Sequence, residues 1–443
     1  MQFKKSIPNK KIAINRHPHG NVPTIHRCCE HLTPIASKEP SFLDKLNEEL
    51  AKQVYNNEDS LGTQGRLIAK EALYLVDGLK KGYGVTAGWN TPDTLTYQLM
   101  EFNLFEFSES KTEARLAAMT DLLIDKDKLQ IRDENDFLKL AAEKTKDFNK
   151  EWLITERNLS ISVGQNAAAY NRFMTEKDDF PYVYYQTAGD SRVRSQHAKL
   201  DGLVISLNDK TALNLWTPNG YGCRCEWLQF NGKPDKITSG KEITELMSRI
   251  DPKWKNSQFS INRGDLKQVF TKEQFYADTK GMSKKINDMT FDKYDLKSYN
   301  LFKSSLNPIK FDKTITEDNV NELFKETGKT KGNKKFMGFE DYFERKLILH
   351  EVVFKRHTKG HYIQEERHLL FPHIGSIVSK PDEVWLSREN NKNNQTLRYV
   401  KYYKNKAVVV LCEMNNTNLE IKTWFEMKEE DTTRSGLLIK RKG

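Results

Sequence analysis

Apolar positions recur at helical spacing from residue 41 to residue 175 and at strand spacing through the last hundred. In SFLDKLNEELAKQV, Leu43, Leu46, Leu50 and Val54 share one helical face, with Ser41 as the candidate N-cap. The same spacing predicts a second helix over about 64–80, ending at Gly82 and Gly84. Thr91-Pro92-Asp93 opens a third helix, and a fourth covers about 110–125. A fifth, long helix over about 133–173 carries Phe137, Ala141, Phe148 and Trp152 on one stripe. Such stripes build cores, so residues 41–175 read as a helical bundle without assigned chemistry.

Beyond residue 230 the pattern changes twice. Residues 231–335 are rich in lysine and asparagine and only weakly periodic. ITELMSRI reads as a short helix and KETGKTKGNKK as a flexible basic stretch, so the segment is expected to be a basic linker with incidental affinity for DNA or RNA. Residues 336–443 recover order. A helix is expected from DYFERKLILHEVVF, followed by Pro381-Asp382-Glu383-Val384-Trp385. LRYVKYY, KAVVVLCEM, LEIKTWFEM and GLLIKRK then read as short strands separated by Asn/Lys turns. Helix first and antiparallel sheet after describes an α+β domain. The fold class is therefore multidomain, as a chain of 443 residues suggests at roughly 150 residues per domain.

Charge sharpens this division. The net charge is +10, residues 1–230 are close to neutral, and the basic excess follows Cys225. That asymmetry points to nucleic acid as the polyanion met by the C-terminal half, against the plainer reading of a lysine-rich solvated surface. No run approaches the roughly 18 apolar residues of a membrane span, and the N-terminus lacks the apolar core of a secretory signal. The expectation is a protein made and kept in the cytoplasm, without membrane contact. The five cysteines are placed poorly for disulfides and fit a reduced compartment.

All ten histidines fall in three places. His17, His19, His26 and His31 stand with Cys28 and Cys29 in HPHGNVPTIHRCCEH, within an extended arm over residues 1–40. These donors suit a structural zinc ion, although the spacing matches no standard finger; an arm that docks on a virion or portal is the competing reading. His197 stands alone. His350, His357, His361, His368 and His373 lie in the C-terminal domain.

The densest chemistry lies in residues 184–227. Asp190, Arg192, Arg194 and His197 crowd one polar run, and Pro218-Asn219-Gly220-Tyr221-Gly222 delivers Cys223-Arg224-Cys225. Pro and two Gly in five residues imply a tightly turned backbone. The order D-x-R-x-R-x-x-H, then Gly202, then P-N-G-x-G-C-R-C resembles the phage Mu F-like family of minor head (head-morphogenesis) proteins. The resemblance covers about residues 100–230, with a small irregular α+β signature module over 176–230. It implies capsid or portal partners and no established catalysis. Three readings of the signature stay open: a buried ion-pair network, a metal held by His197, Cys223 and Cys225, or a cysteine nucleophile beside His197. An arginine between the cysteines is expected to lower their pKa values.

In the last hundred residues, H…R…PDEVW…RYVKYY…TWF…R-x-G-x-L resembles the phage-borne nuclease domains of the barnase/EndoU/colicin/RelE superfamily, which are often fused to a Mu F-like module. The resemblance implies an endoribonuclease that needs no metal cofactor. His357 or His361 is then the expected base, Arg398 and Lys401 the phosphate clamp, and Thr423 a donor to a phosphate oxygen. Lys355, Arg356, Arg367 and Trp424 are expected to bind substrate, with Trp424 or Phe425 stacking a base or filling the core and Phe425 the better core candidate. Together these readings describe a phage head protein with an RNase toxin or effector domain, located in the virion and in the host cytoplasm during assembly. Its expected partners are capsid and portal proteins, RNA, packaged DNA and an immunity protein. The alternatives are a purely structural capsid protein with an inactive C-terminal domain, or a DNA-binding assembly factor.

Overall fold

The computed structural model describes residues 43–441 apart from Ala87, 230–231 and 389–394. The candidate metal arm with His17, His19, His26, Cys28, Cys29 and His31 therefore lies outside the described residues, as does Ser41. Five helices open the described chain: α1 (Asp44–Tyr55), α2 (Leu61–Tyr83), α3 (Pro92–Asp121), α4 (Glu134–Asn149) and α5 (Glu151–Thr175). They do not form the single bundle expected over 41–175. Residues 74–85 and 150–274 belong to one compact unit; residues 43–73, 86–149 and 275–441 belong to another.

In the first unit, the end of α2 and α5 meet at small residues. A Cβ on Gly82 would lie 1.9 Å from the Ile161 carbonyl oxygen, so only glycine permits that approach. Against α5 sits a three-stranded antiparallel sheet, order β2-β1-β3, of β1 (Tyr182–Gln186), β2 (Val204–Ser206) and β3 (Glu226–Gln229). Its core is aromatic: Trp216 stacks on Trp227 at 5.8 Å, and Trp216 Nε1 donates to the Asn166 carbonyl of α5 at 3.0 Å. Helix α6 (Gly240–Ile250) follows, closed by a capping box in which Ser239 and Glu242 exchange hydrogen bonds.

The second unit holds α1, α3 and α4. Helix α3 is one 30-residue element where the apolar spacing predicts two. Many of its polar positions are buried, which hides the continuous helix from a reading by hydrophobic stripe. Lys111 and Arg115 both reach Glu71, at 2.9 and 3.3 Å. The expected long fifth helix is broken at Lys150, whose ψ of −83° is not helical, and Trp152 is 40% exposed rather than continuing the buried stripe of Phe137, Ala141 and Phe148.

The stretch 231–335, expected as a basic linker, is instead a series of short helices with buried apolar anchors. These include α7 (Lys280–Asn287), with Met282, Ile286 and Met289 in the core. An eight-stranded sheet then begins at β4 (Gly328–Lys329) and continues through β5 (Lys335–Glu340), β6 (Lys346–His350), β7 (Glu383–Arg388), β8 (Gln395–Tyr402), β9 (Ala407–Met414), β10 (Leu419–Glu426) and β11 (Leu437–Lys440). The spatial order is β11-β7-β8-β9-β10-β6-β5-β4; only β10 and β6 run parallel. Strand β6 occupies part of the expected leading helix, and α8 (Glu351–His357) follows it, with α9 (Ile374–Ser379) before β7. Buried Arg345 ties this sheet to α3 through Glu101 at 2.6 Å, which explains why α3 travels with the C-terminal domain.

Candidate functional site

In the second unit, the antiparallel register places Arg398 of β8 opposite Leu411 of β9, and Leu411 opposite Thr423 of β10. Residues directly opposite share a face, so the three form one row across the sheet. That row borders a cleft of about 580 Å³ lined by Arg398, Leu411, Phe425 and Glu426, by Gln364–Arg367, and by Lys428, Glu429, Thr432 and Thr433.

Arg398 is the unusual member. Its guanidinium donates to the Thr432 carbonyl at 3.0 Å, to Ser387 Oγ at 3.1 Å and to the Ser435 carbonyl. These partners are neutral, no carboxylate pairs with it among the described residues, and its buried Nε has no hydrogen-bond acceptor. Burial alone brings its pKa down to about 10. A half-buried cation without a counter-ion still loses part of its hydration, and a phosphate entering the cleft would supply the missing charge.

Arg367 lies across from it. It pairs with Glu365 at 2.7 Å, donates to Thr423 Oγ1 at 2.6 Å and rests on the Tyr362 ring at 4.3 Å. It also donates to Nδ1 of His357 at 3.0 Å, while Nε2 of His357 lies 3.0 Å from the Lys422 carbonyl. A carbonyl only accepts, so Nε2 carries the proton and Nδ1 is already occupied. Burial, then the Arg367 charge, pushes the His357 pKa down to about 4. The imidazole expected as a base is thus a neutral bridge with neither nitrogen free. His361 is exposed and packs on Tyr362 at 3.8 Å between ring centroids.

Other expected residues lie elsewhere. Arg398 and Lys401, expected as a joint clamp, are three apart in a strand and point to opposite faces. Lys401 Nζ donates to the Lys380 carbonyl at 2.7 Å and approaches Asp382 at 3.5 Å. Trp424, expected to stack substrate, is fully buried and donates to the Arg367 carbonyl at 2.8 Å. Phe425, expected in the core, lines the cleft instead. Lys355 and Arg356 are exposed on α8 with Glu351 and Lys359, around a separate surface hollow. Lys428, Glu429 and Thr432 were not singled out by sequence; the polar run between the last two strands was their only signal.

In the first unit, the signature residues gather at one place. Gly202 and Gly222, at φ of +77° and +68°, take the left-handed turns that precede β2 and Cys223. Asn219 fastens the loop, accepting from Tyr185 Oη at 3.0 Å and donating to the Leu215 carbonyl at 3.1 Å. Cys223 and Cys225 point inward with His197. Both sulfurs approach the same nitrogen, Nδ1, at 3.7 and 3.6 Å. Arg224, between them, turns the other way and closes a bidentate pair on Asp190 at 2.7 and 2.5 Å, while Arg194 donates to the Tyr221 carbonyl. Asp190 is held well below the usual carboxylate range by Arg224, and Arg192 adds a weaker contact at 3.4 Å. Arg224 lowers Cys225 as expected, but only weakly, and other influences decide both thiols. Cys223 is pulled below its ordinary thiol value first by the hydrogen bond with Cys225 and then by His197, and Cys225 is pushed up. Cys223, Cys225 and Cys412 are free thiols.

Residues 127–228 match the family described as Phage Mu protein F like protein, and residues 322–440 match the phage-Barnase-EndoU-ColicinE5/D-RelE like nuclease2 family. The putative capsid assembly protein F of Escherichia phage Mu is 33% identical over 73 residues, which is 16% of this chain and 17% of that protein. The Mu-like prophage FluMu F protein of Haemophilus influenzae is 37% identical over 60 residues, 14% of each chain. The chain thus spans less than a fifth of the length of the curated relatives it matches. No solved structure matches. No described helix is long and apolar enough to cross a membrane.

Proposed function

We propose that this chain, which joins a Mu F-like region to a Barnase-EndoU-colicin-RelE-like nuclease domain, is a phage head-morphogenesis protein whose C-terminal domain cleaves RNA without a metal cofactor. The observation that carries the reading is Arg398: a half-buried guanidinium, unpaired with any carboxylate among the described residues, on the wall of an open cleft. In the reaction, the ribose 2′-oxygen forms a bond to the adjacent phosphorus and the bond to the 5′-oxygen breaks. The products are a 2′,3′-cyclic phosphate and a 5′-hydroxyl end, the departing 5′-oxygen taking its proton from solvent water. Arg398, with Arg367 opposite, stabilises the charge that develops on the phosphorane. His361, exposed beside the cleft-lining Gln364–Arg367 segment, accepts the 2′-hydroxyl proton, a task that suits an imidazole near neutral pH. Thr423, held by Arg367, orients that guanidinium, and Phe425 offers a ring to a base.

The Mu F-like region gives the protein a place in the phage head, with capsid and portal proteins as partners, and the nuclease domain would act as a toxin or effector restrained by an immunity protein. The test is to incubate the full chain with total RNA and EDTA. Fragments ending in 2′,3′-cyclic phosphate are expected. Activity abolished by EDTA and restored by Mg²⁺, or no cleavage of any RNA, contradicts the reading.

A further inference from the structure

We infer that His197, Cys223 and Cys225 form a zinc site, built by the signature loop and independent of the nuclease cleft. Among the described residues this is the only group of three or more His, Cys, Asp or Glu side chains whose ligand atoms all lie within 4.8 Å of one another, and all three are buried.

The distances fit a shared metal ion, and the number of donors on one nitrogen favours it over a hydrogen-bonded thiol cluster. Zinc binds thiolate sulfur at about 2.3 Å and imidazole nitrogen at about 2.05 Å, so a tetrahedral ion separates the two donors by about 3.6 Å. The two sulfurs stand 3.7 and 3.6 Å from His197 Nδ1. A neutral imidazole Nδ1 has one lone pair and accepts one good hydrogen bond. Two thiols converge on it at nearly equal distance and only one can donate to it, whereas an ion between the three atoms binds all of them.

Charge agrees with this. On binding, the two thiols release their protons to solvent and become thiolates, so a divalent ion leaves the buried cluster neutral. The neighbouring Arg224 charge is already matched by Asp190 and stays out of the balance. The three ligands also border a small cleft of about 90 Å³ that Arg192 and Arg194 line. A tetrahedral ion needs a fourth ligand, and this cleft has room for a water molecule.

The loop explains how a short spacing suffices. Cys-x-Cys places both sulfurs on one side when the intervening side chain is drawn outward, as the bidentate Asp190 pair draws Arg224. Arg224 and Asp190 thereby act as positioning residues.

The experiment uses the full chain carrying Cys28→Ser and Cys29→Ser, which removes the thiols of the N-terminal arm. Metal content is measured by mass spectrometry after purification, and again after exchange with Co²⁺. About one equivalent of zinc per chain is expected. The cobalt form should show the visible bands of a tetrahedral ion and sulfur-to-cobalt charge transfer. Cys225→Ser should lose that charge transfer in large part, while His197→Cys, which keeps a soft three-donor set, should retain the ion. If Cys225→Ser fails to fold, the cobalt spectrum of the parent chain decides the matter alone. A parent chain that takes up neither zinc nor cobalt, or whose cobalt spectrum lacks sulfur charge transfer, overturns the inference.

Discussion

Arg367 donates to Nδ1 of His357 at 3.0 Å, and this bond removes His357 from the choice of general base. Its other nitrogen is spent on the Lys422 carbonyl. His357→Gln should therefore cost stability, on the order of 1–3 kcal/mol for the broken buried bonds, and leave cleavage within several-fold of the parent at permissive temperature. His361→Ala should leave the unfolding midpoint unchanged and slow cleavage by about 10²–10⁴. Urea unfolding and single-turnover cleavage on both variants check this; the reverse pattern would return the role of base to His357.

The same bridge predicts a pH effect. His357 titrates near 4 when folded, against an ordinary value of 6.5. The unfolded chain binds the extra proton first, so this contribution is whole above pH 6.5 and is lost as pH falls from 6.5 towards 4. The span corresponds to about 3 kcal/mol at most. Unfolding free energy measured between pH 7 and pH 4 should fall more steeply in the parent than in His357→Gln. Parallel slopes would show that another group governs acid destabilisation.

Trp424 and Phe425 are neighbours with opposite duties. Trp424 is fully buried, against His357 at 5.3 Å and Phe371 at 5.8 Å, so Trp424→Ala should cost about 3–5 kcal/mol. Phe425→Ala should cost far less stability and weaken RNA binding by about 1–3 kcal/mol if its ring stacks a base. Thermal unfolding and RNA titration separate the two; equal affinity for Phe425→Ala and the parent would remove Phe425 from the binding surface.

The strands β8 to β11 were legible because β-branched and aromatic residues alternate between turn signals. The same alternation should have separated Arg398 from Lys401, since an odd spacing reverses the face. Which face is solvent was not legible. Trp424 is enclosed by Phe371 and Arg367, and nothing local to TWF announces them. Domain limits were hidden for a similar reason: Arg345 meets Glu101 across 244 positions, so α3 belongs with the sheet, together with α1 and α4, and not with α5. The signature residues were legible as a group, because rare residue types and glycine turns mark them. That His197 serves both cysteines while Arg224 turns to Asp190 required coordinates.

Arg398 is where the account stands or falls. Single-turnover cleavage and equilibrium binding are measured on one RNA substrate with the full-length parent, Arg398→Ala and Lys401→Ala. If Arg398 meets the phosphorane, its removal slows cleavage by about 10²–10³ while affinity changes only several-fold, because a preorganised cation contributes most in the transition state. Lys401, on the other face of the strand, should leave both quantities nearly unchanged. A parent that cleaves no RNA, or an Arg398→Ala whose binding weakens by the same factor as its rate, would contradict the account.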